Sequence, residues 1–199
     1  VFGAVVTATI FMAAVVIPYL SITLAAMTIL RSAPPTPNNL TFDYFSIVVQ
    51  MPTAQEALVR SIGLGALGAT TAVALGVLVT VLTRRQSTIA AKFSDFLAIA
   101  PDTVPGIVLA IGFILLWNSP WLPWSPYGTM GMLVMAFTVL FLPMAIQNIK
   151  ASAESVSPTV YEAAAISGSS TLHTFGRITL PLLAPGIFAG WLLAFFVGI

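Results

Sequence analysis

The chain has 199 residues, of which 58% are hydrophobic and only 7% are charged, and its formal net charge is +1 at pH 7. Because an ordinary soluble domain has about 25% charged residues, this composition excludes a mainly water-facing surface and indicates a membrane protein. The small net charge does not support nucleic-acid binding through a basic face, and the absence of cysteine rules out disulfides and thiolate metal sites.

Five apolar segments are predicted to span the membrane, because a helix needs about 20 mainly apolar residues to cross a bilayer. In chain order they cover residues 3–30, 60–83, 101–117, 129–148 and 181–199. The predicted fold class is therefore all-α, a polytopic bundle of transmembrane helices.

Proline and glycine mark irregular points in this pattern. Pro101, Pro105 and Gly106 predict a kinked or irregular entry to the third segment. Pro143 predicts a kink in the fourth segment. Residues 118–128, between these two segments, combine prolines with tryptophan and tyrosine, which is typical of a turn at the membrane surface.

The second segment has a face of small residues spaced four apart, namely Gly68, Ala72, Gly76 and Thr80. Faces of this kind let two helix backbones approach closely. The partner is either another helix of the same chain or a helix of a second subunit, and the sequence leaves both open.

The basic residues predict the orientation, because cytoplasmic loops carry an excess of lysine and arginine. Residues 84–95 and 149–180 contain most of them, namely Arg84, Arg85, Lys92, Lys150 and Arg177. The loop of residues 31–59 contains only Arg31. The loops 84–95 and 149–180 are therefore predicted to be cytoplasmic. Asp95 and Asp102 are expected to be solvated or paired charges near Lys92, Arg84 and Arg85.

The loop 149–180 is predicted to begin with a short helix. Ser157 followed by Pro158 is a favourable helix start, and Gly168 is suited to the left-handed conformation that ends a helix. Glu162 lies beside a smooth face that fits a groove on another protein. That face consists of Val160, Ala163, Ala164 and Ser167. The alternative is a re-entrant loop without a partner.

A second short helix is predicted to begin at Ser169 or Ser170 and to end at Pro181, where the last span would start. Apolar residues recur along it at intervals of three and are expected to pack inward, namely Leu172, Phe175 and Ile178. Two polar residues are expected to face water or lipid headgroups, namely His173 and Arg177. The two helices would form a rigid elbow beneath the membrane.

The segment from Glu162-Ala163-Ala164 through Gly168 to Ile178-Thr179-Leu180-Pro181 resembles the signature of a known family. It is similar to the EAA loop of the inner-membrane permease subunits of binding-protein-dependent ABC importers, of the type I class. The resemblance covers essentially the whole chain. It implies a permease core with about five spanning helices, and a single transmembrane permease domain over residues 1–199 that includes the coupling loop 149–180. Apolar runs at both ends lead us to expect a fragment or one half of a longer permease.

In that family the loop is a coupling helix that docks on an ATPase subunit. The residues that the resemblance marks as ATPase-coupling are Glu162, Ala163, Ala164, Gly168, Ile178, Leu180 and Pro181. The first four are expected to contact the ATPase, and the last three are expected to anchor the loop to the next helix.

The resemblance also implies the other partners and the location. A solute-binding protein, periplasmic or extracellular, would meet residues 31–59 and 118–128, and a second permease half would be identical, homologous or fused. The location would be the bacterial inner (plasma) membrane. Residues 39–49 and 181–199 look most similar to permeases for ferric iron. Permeases for phosphonates, thiamine and polyamines are close relatives and remain alternatives.

The sequence predicts a transporter subunit rather than an enzyme. It has no G-x-x-x-x-G-K-[ST] loop, so we expect no ATP site and no cofactor in this chain. The single histidine excludes an H-E-x-x-H zinc site. Two other classes remain open, a membrane scaffold that recruits a soluble protein and a carrier driven by an ion gradient. The lack of charges in the middle of the predicted spans counts against the carrier.

Overall fold

The protein is described by a computed structural model over residues 2–83 and 89–199. Its regular structure in these ranges is helical, which confirms the all-α prediction. The α-helices are α1 Phe2–Phe11, α2 Ile17–Met27, α3 Asp43–Gln50, α4 Pro52–Thr83, α5 Ile89–Ile99, α6 Gly106–Trp117, α7 Met130–Glu154, α8 Thr159–Ile166, α9 Thr171–Thr174 and α10 Leu180–Gly198. Arg84 and Arg85, which supported the predicted orientation, lie outside the described residues.

Four helical stretches in the described ranges are long and apolar enough to cross a membrane. They are Gly3–Met27, Pro52–Thr83, Met130–Glu154 and Thr171–Gly198. A fifth crossing is provided if Lys92–Thr103 and Gly106–Trp117, which meet at a bend of 110°, act together as one span. The polytopic helical bundle predicted from the sequence is confirmed.

The chain divides into two compact units, Val1–Leu58 and Val59–Ile199. In the first unit, α1 continues into α2 through a π-helical turn at Met12–Val16. The predicted first span ends at Met27 rather than at residue 30, because Thr28 turns to extended backbone and pairs with Leu40.

The side chain of Asn39 fixes the loop that follows α2. Its amide oxygen accepts from the Leu30 amide at 2.9 Å, and its amide nitrogen donates to the carbonyls of Leu30, Ala33 and Pro34 at 3.1, 3.3 and 3.1 Å. Residues 31–59, predicted only as a loop, therefore contain an ordered turn, the short helix α3 and the start of α4. The second span begins at Pro52 rather than at residue 60.

The second unit is built on α4, α7 and α10. The small face of α4 is buried in this unit, and a Cβ atom on Gly68 would lie 2.8 Å from Cβ of Phe137 on α7. A Cβ atom on Gly76 would lie 3.1 Å from Cδ1 of Ile149. The small-residue face therefore packs within the chain, which was one of the two possibilities left open.

These contacts show that α4 and α7 run in the same direction, since Gly68 lies beside Phe137 and Gly76 lies further along beside Ile149. Helix α10 runs the opposite way: Gly190 lies against Ala145, and Gly198 lies against the earlier residue Phe141. The carboxyl ends of α4 and α7 and the amino end of α10 therefore lie at one end of this bundle.

The parallel packing of α4 and α7 bears directly on the third predicted span. Because α4 ends where α7 also ends, the chain between them must travel back along the whole length of α7. It does so as a broken span: α5, a 3-10 turn at Ala100–Thr103, and α6. The prediction of one span over residues 101–117 is therefore wrong in detail, because α6 alone has 12 residues, about 18 Å of helix, against a hydrocarbon core of about 30 Å.

The break lies where proline and glycine predicted an irregular entry. Val104 has extended backbone, and Pro105 has φ −53° and ψ +133°, so α6 cannot continue the preceding helix. Pro143 lies inside α7, which runs as one α-helix from Met130 to Glu154, so this proline does not end its helix. The kink expected there stays a prediction.

Candidate functional site

The loop between α7 and α10 contains α8, whose first turn forms as its sequence predicts. The Ser157 hydroxyl oxygen accepts from the Thr159 amide at 3.4 Å and lies 2.8 Å from the Thr159 hydroxyl. Pro158 has helical backbone, and its carbonyl accepts from the Tyr161 amide at 3.0 Å. Proline has no amide hydrogen, and at the start of a helix that hydrogen would have no acceptor within the helix. Proline at this position therefore destabilises the helix very little.

The end of α8 is a Schellman motif. Gly168 has φ +71°, and its amide donates to the carbonyl of Ala165 at 3.1 Å. The Ser169 amide donates to the carbonyl of Ala164 at 3.1 Å. These are the two hydrogen bonds that satisfy carbonyl groups at the end of a helix. The predicted left-handed role of Gly168 is confirmed, and α8 is a short helix with defined ends.

The two faces of α8 have different surroundings. Ala164 is 7% exposed and packs inward, so it does not share the outer surface with Ala163 as the sequence suggested. The outer surface instead includes Ile166, which is 87% exposed. We call this the outer face of α8, and it consists of the exposed residues Glu162, Ala163, Ile166 and Ser167.

The chain after Gly168 forms one continuous helical stretch rather than two helices separated at Pro181. The Ser170 hydroxyl caps α9 by accepting from the His173 amide at 3.3 Å. Helix α9 then passes through the π-helical turn Phe175–Thr179 directly into α10. Pro181 lies in the first turn of α10. A proline inside a helix interrupts the regular backbone hydrogen bonds, but the π-helical turn just before Pro181 already alters that pattern, so the helix continues through it.

Several predicted orientations on this stretch are correct and one is wrong. His173 and Arg177 are exposed, and Phe175 and Ile178 are half-buried. Leu172 is 81% exposed, contrary to the prediction that it packs inward. Its position in the first turn of α9 precedes the point at which the helix meets the bundle.

Buried residues near the start of α10 attach this stretch to the bundle. Leu180 and Pro181 are exposed, whereas Thr179 and Leu183 are 6% and 1% exposed. One turn further on, a Cβ atom on Gly186 would meet Ser152 Oγ at 2.5 Å, and the Asn148 carbonyl even more closely. Thr179, Leu183 and Gly186 therefore pack this helix against the bundle. The small size of Gly186 is the sequence feature that could have indicated its contact with α7.

A cavity of about 400 Å³ separates α8 and α9 from the end of α4. Its lining is rich in hydroxyl groups, and it includes Thr80, Tyr161, Ser169, Thr174 and Thr179. The Thr80 side chain is 2% exposed, and its hydroxyl has no hydrogen-bond partner in the described part of the chain. Helices α8 and α9 thus lie beside α4 with space between them, while the stretch that follows packs closely on α7.

An ion pair lies near the same end of the bundle. Lys150, in the last turns of α7, binds the Asp95 carboxylate on α5. The prediction that Asp95 is a paired charge holds, although the described partner is Lys150 rather than Lys92. The described residues contain no group of three or more histidine and carboxylate side chains that could hold a metal ion.

The comparisons with known proteins agree with this architecture. Residues 72–199 match the family described as binding-protein-dependent transport system inner membrane component. The chain is 30% identical over 129 residues to the Fe(3+)-transport system permease protein FbpB 2 of Haemophilus influenzae, covering 61% of this chain and 25% of that protein. It is 33% identical over 111 residues to the putative ABC transporter permease protein ORF1 of Streptomyces antibioticus, covering 56% of this chain and 47% of that protein.

A third relative extends further along the chain. The trehalose transport system permease protein SugB of Mycobacterium tuberculosis is 24% identical over 159 residues, covering 80% of this chain and 57% of that protein. The chain therefore spans between a quarter and somewhat over half the length of these relatives. With its apolar helices and a family match over most of its length, this multi-pass membrane protein belongs to the binding-protein-dependent transport system inner membrane components, the permeases of ABC importers.

Proposed function

We propose that this chain forms part of the solute pathway of an ABC importer and that the outer face of α8 is the surface on which a separate ATPase subunit acts. The observation that supports this proposal most directly is the exposed apolar surface of α8 on a helix with two fixed ends. A helix of this kind fits a hydrophobic groove on a partner. Among the proposed coupling residues, Glu162 and Ala163 contact the ATPase, and Gly168 keeps α8 at its angle.

The proposed roles of the remaining coupling residues follow from where each lies. Ala164 supports α8 from the inside, because it is buried within the chain. Ile178, Leu180 and Pro181 lie on the continuous stretch from α9 to α10 and carry movement from α8 toward the membrane. Thr179 and Leu183, which are buried beside them, join this stretch to the bundle.

We propose that α8 lies on the cytoplasmic side of the bacterial inner membrane. The carboxyl ends of α4 and α7 lie at the same end of the bundle as α8, and this is the end to which Lys150 and Arg177 belong. Cytoplasmic loops are the basic ones in membrane proteins. In this orientation the loop 84–95 is also cytoplasmic, while residues 31–59 and 118–128 face a solute-binding protein outside.

The proposed mechanism uses ATP energy that this chain does not itself capture. Nucleotide binding draws two ATPase subunits together, and each carries the α8 of one permease half with it. Because α9 continues into α10 without a break in the helix, movement of α8 becomes movement of a span. In this proposal residues 1–199 act as one permease domain, and the bundle alternates between inward-facing and outward-facing arrangements.

We propose ferric iron as the first solute to test, because FbpB 2 of Haemophilus influenzae is described as an Fe(3+)-transport permease. Trehalose, and spermidine or putrescine, are solutes named for other relatives of this chain, and phosphonates and thiamine remain alternatives. Uptake of each labelled solute by cells that contain or lack this permease distinguishes them. Loss of uptake of a solute other than ferric iron would overturn the iron assignment and leave the permease assignment intact.

The coupling proposal is tested by two matched substitutions in the assembled transporter. Ile166 and Leu172 are both exposed aliphatic residues, at 87% and 81%, but only Ile166 lies on the outer face of α8. Ile166→Glu should lower ATPase binding to inside-out membrane vesicles by roughly tenfold or more, as loss of a central interface residue does. Leu172→Glu should change binding by less than about twofold, as expected outside the centre of an interface.

Each alternative predicts a different outcome of this experiment. A scaffold would retain a partner without ATPase activity, and a gradient-driven carrier would transport solute without any ATPase. Binding of the wild-type chain from the other side of the membrane would refute the proposed orientation. Equal loss of binding in both variants would show that α8 is not the specific docking surface.

A further inference from the structure

The broken span α5–α6 is attached to the rest of the second unit over a small area. All twelve residues of α6 are described, and none is buried. On α5, Ala98 is the buried residue among the described side chains, with 6% exposure. The large apolar residues of α5 are exposed, and they include Ile89, Phe93, Phe96 and Leu97.

The Asp95–Lys150 ion pair is the charged link between this broken span and α7 in the described part of the chain. The two side chains are only partly exposed, at 33% for Asp95 and 27% for Lys150. The second carboxylate oxygen, Asp95 Oδ1, is buried and has no hydrogen-bond partner among the described residues. Among the described residues, Lys150 is therefore the group that compensates the charge of this carboxylate, and removing it would leave the charge without a described partner.

The position of Lys150 on α7 connects this pair to the candidate site. Helix α7 ends at Glu154, and α8 begins at Thr159 after a short turn. Lys150 is thus one turn before the end of α7, close to the point where movement of α8 reaches the bundle. Asp95 lies on α5, which continues through the bend into α6.

We propose that the Asp95–Lys150 ion pair, which we call the clasp, makes the broken span move together with α7 and α8. The clasp is closed when the pair is formed and open when it is broken. This inference rests on the coupling function proposed above and assigns a positioning role to both residues. With the clasp closed, movement of α7 carries α5 and α6 with it, although these helices have little buried surface of their own. With the clasp open, the ATPase still moves α8, but α6 lags behind and solute movement separates from ATP hydrolysis.

The test is a charge exchange in the assembled transporter, reconstituted in liposomes. Asp95→Lys and Lys150→Asp are made singly and together, and solute uptake per ATP hydrolysed is measured. Each single variant should lower this ratio by about fivefold or more, the lower range of ordinary coupling between sites. The double variant should return the ratio to within about twofold of wild type, because opposite charges again face each other.

Matched controls change the same charges at exposed positions of the same two helices. Lys92→Asp on α5 and Glu154→Lys on α7 should leave the ratio within about twofold of wild type, as expected for exposed charges. Asp95→Asn provides a milder single variant if a charge reversal prevents assembly, since it removes the charge while keeping a similar shape. It should also lower the ratio, with ATPase binding retained.

A second measurement separates positioning from simple stability. Distances between spin labels on α6 and α8 are recorded with and without ATP. In the single variants the label on α8 should still move while the label on α6 does not follow. An unchanged uptake ratio in the single variants with ATPase binding intact would overturn the clasp, as would a double variant that assembles but stays uncoupled. Failure of the wild-type chain to bind any ATPase would instead overturn the proposed function.

Discussion

The second unit contains two regions that hold their helices together in different ways. Along α4, α7 and α10, small residues bring backbones into contact, and a Cβ atom on Gly190 would lie 3.2 Å from the Cα atom of Ala145. Along α5 and α6, apolar side chains stay exposed, and among the described residues one partly buried ion pair supplies the charged contact to α7. The closely packed region has little freedom to deform, whereas the loosely attached region can shift without breaking a core.

This difference assigns separate tasks to the two regions. Close helix packing in membranes depends on van der Waals contact and small residues, so the α4–α7–α10 bundle is suited to transmitting force as a rigid body. A broken span has its backbone interrupted where it can line a cavity or contact neighbouring protein. We therefore expect the bundle to be a rigid frame that moves with α8, and α5–α6 to be the loosely attached part that follows it through the Asp95–Lys150 pair.

The largest expected effect on stability comes from adding one methyl group to the closely packed region. In Gly186→Ala the new Cβ atom would lie 2.8 Å from Ser152 Cβ and within van der Waals overlap of the Asn148 carbonyl. We expect a destabilisation of about 1–3 kcal/mol, typical of overpacking, measured by thermal unfolding of the purified protein in detergent.

The control for that substitution is Gly112→Ala on α6, where the added methyl group meets nothing within 4 Å. Its expected effect is neutral or stabilising by up to about 1 kcal/mol, because alanine is the better helix former. If Gly112→Ala destabilised the protein as much as Gly186→Ala, the distinction between a packed frame and a loosely attached span would be wrong.

A smaller effect on stability and a larger one on coupling are expected for Gly168→Val. The space around Gly168 is open, but its φ is +71°. A residue with a side chain in this left-handed conformation destabilises the fold by about 1–2 kcal/mol. The angle of α8 should change, and ATP-driven uptake should fall while membrane insertion is retained. Gly176→Val is the control, since this glycine is also surrounded by open space and has no left-handed backbone. Full uptake by Gly168→Val would refute the proposed role of the Schellman turn.

The features that sequence predicted well are governed by neighbours in the chain. Ser157, Pro158 and Gly168 determine the ends of α8 through hydrogen bonds that span only a few residues. The spacing of Gly68 and Gly76 likewise predicted a close helix contact, although it could not name the partner. Local backbone chemistry and helical periodicity are sufficient for both, so the core of the candidate site could be found from the sequence.

The features that sequence missed depend on distant parts of the chain. Asp95 and Lys150 are 55 positions apart, and they meet because the broken span returns along α7. Ala164 and Ile166 are both apolar members of one helix, and only the packing against the bundle decides which of them is buried. The continuity of the helix through Pro181 depends on a π-helical turn for which the sequence carries no clear signal.

The smallest expected effect distinguishes two of the buried threonines, Thr80 on α4 and Thr138 on α7. Thr80 is 2% exposed, and its hydroxyl has no described partner, whereas Thr138 is 8% exposed and its hydroxyl bonds the Thr71 hydroxyl. Thr138→Val should cost about 0.5–1.5 kcal/mol, the ordinary net value of one hydrogen bond. Thr80→Val should be neutral or slightly stabilising, because it removes an unsatisfied buried group at nearly constant shape. Thermal unfolding of both variants measures the difference, and a Thr80→Val protein less stable than Thr138→Val would mean that the Thr80 hydroxyl is bonded, for example through water in the cavity beside α8.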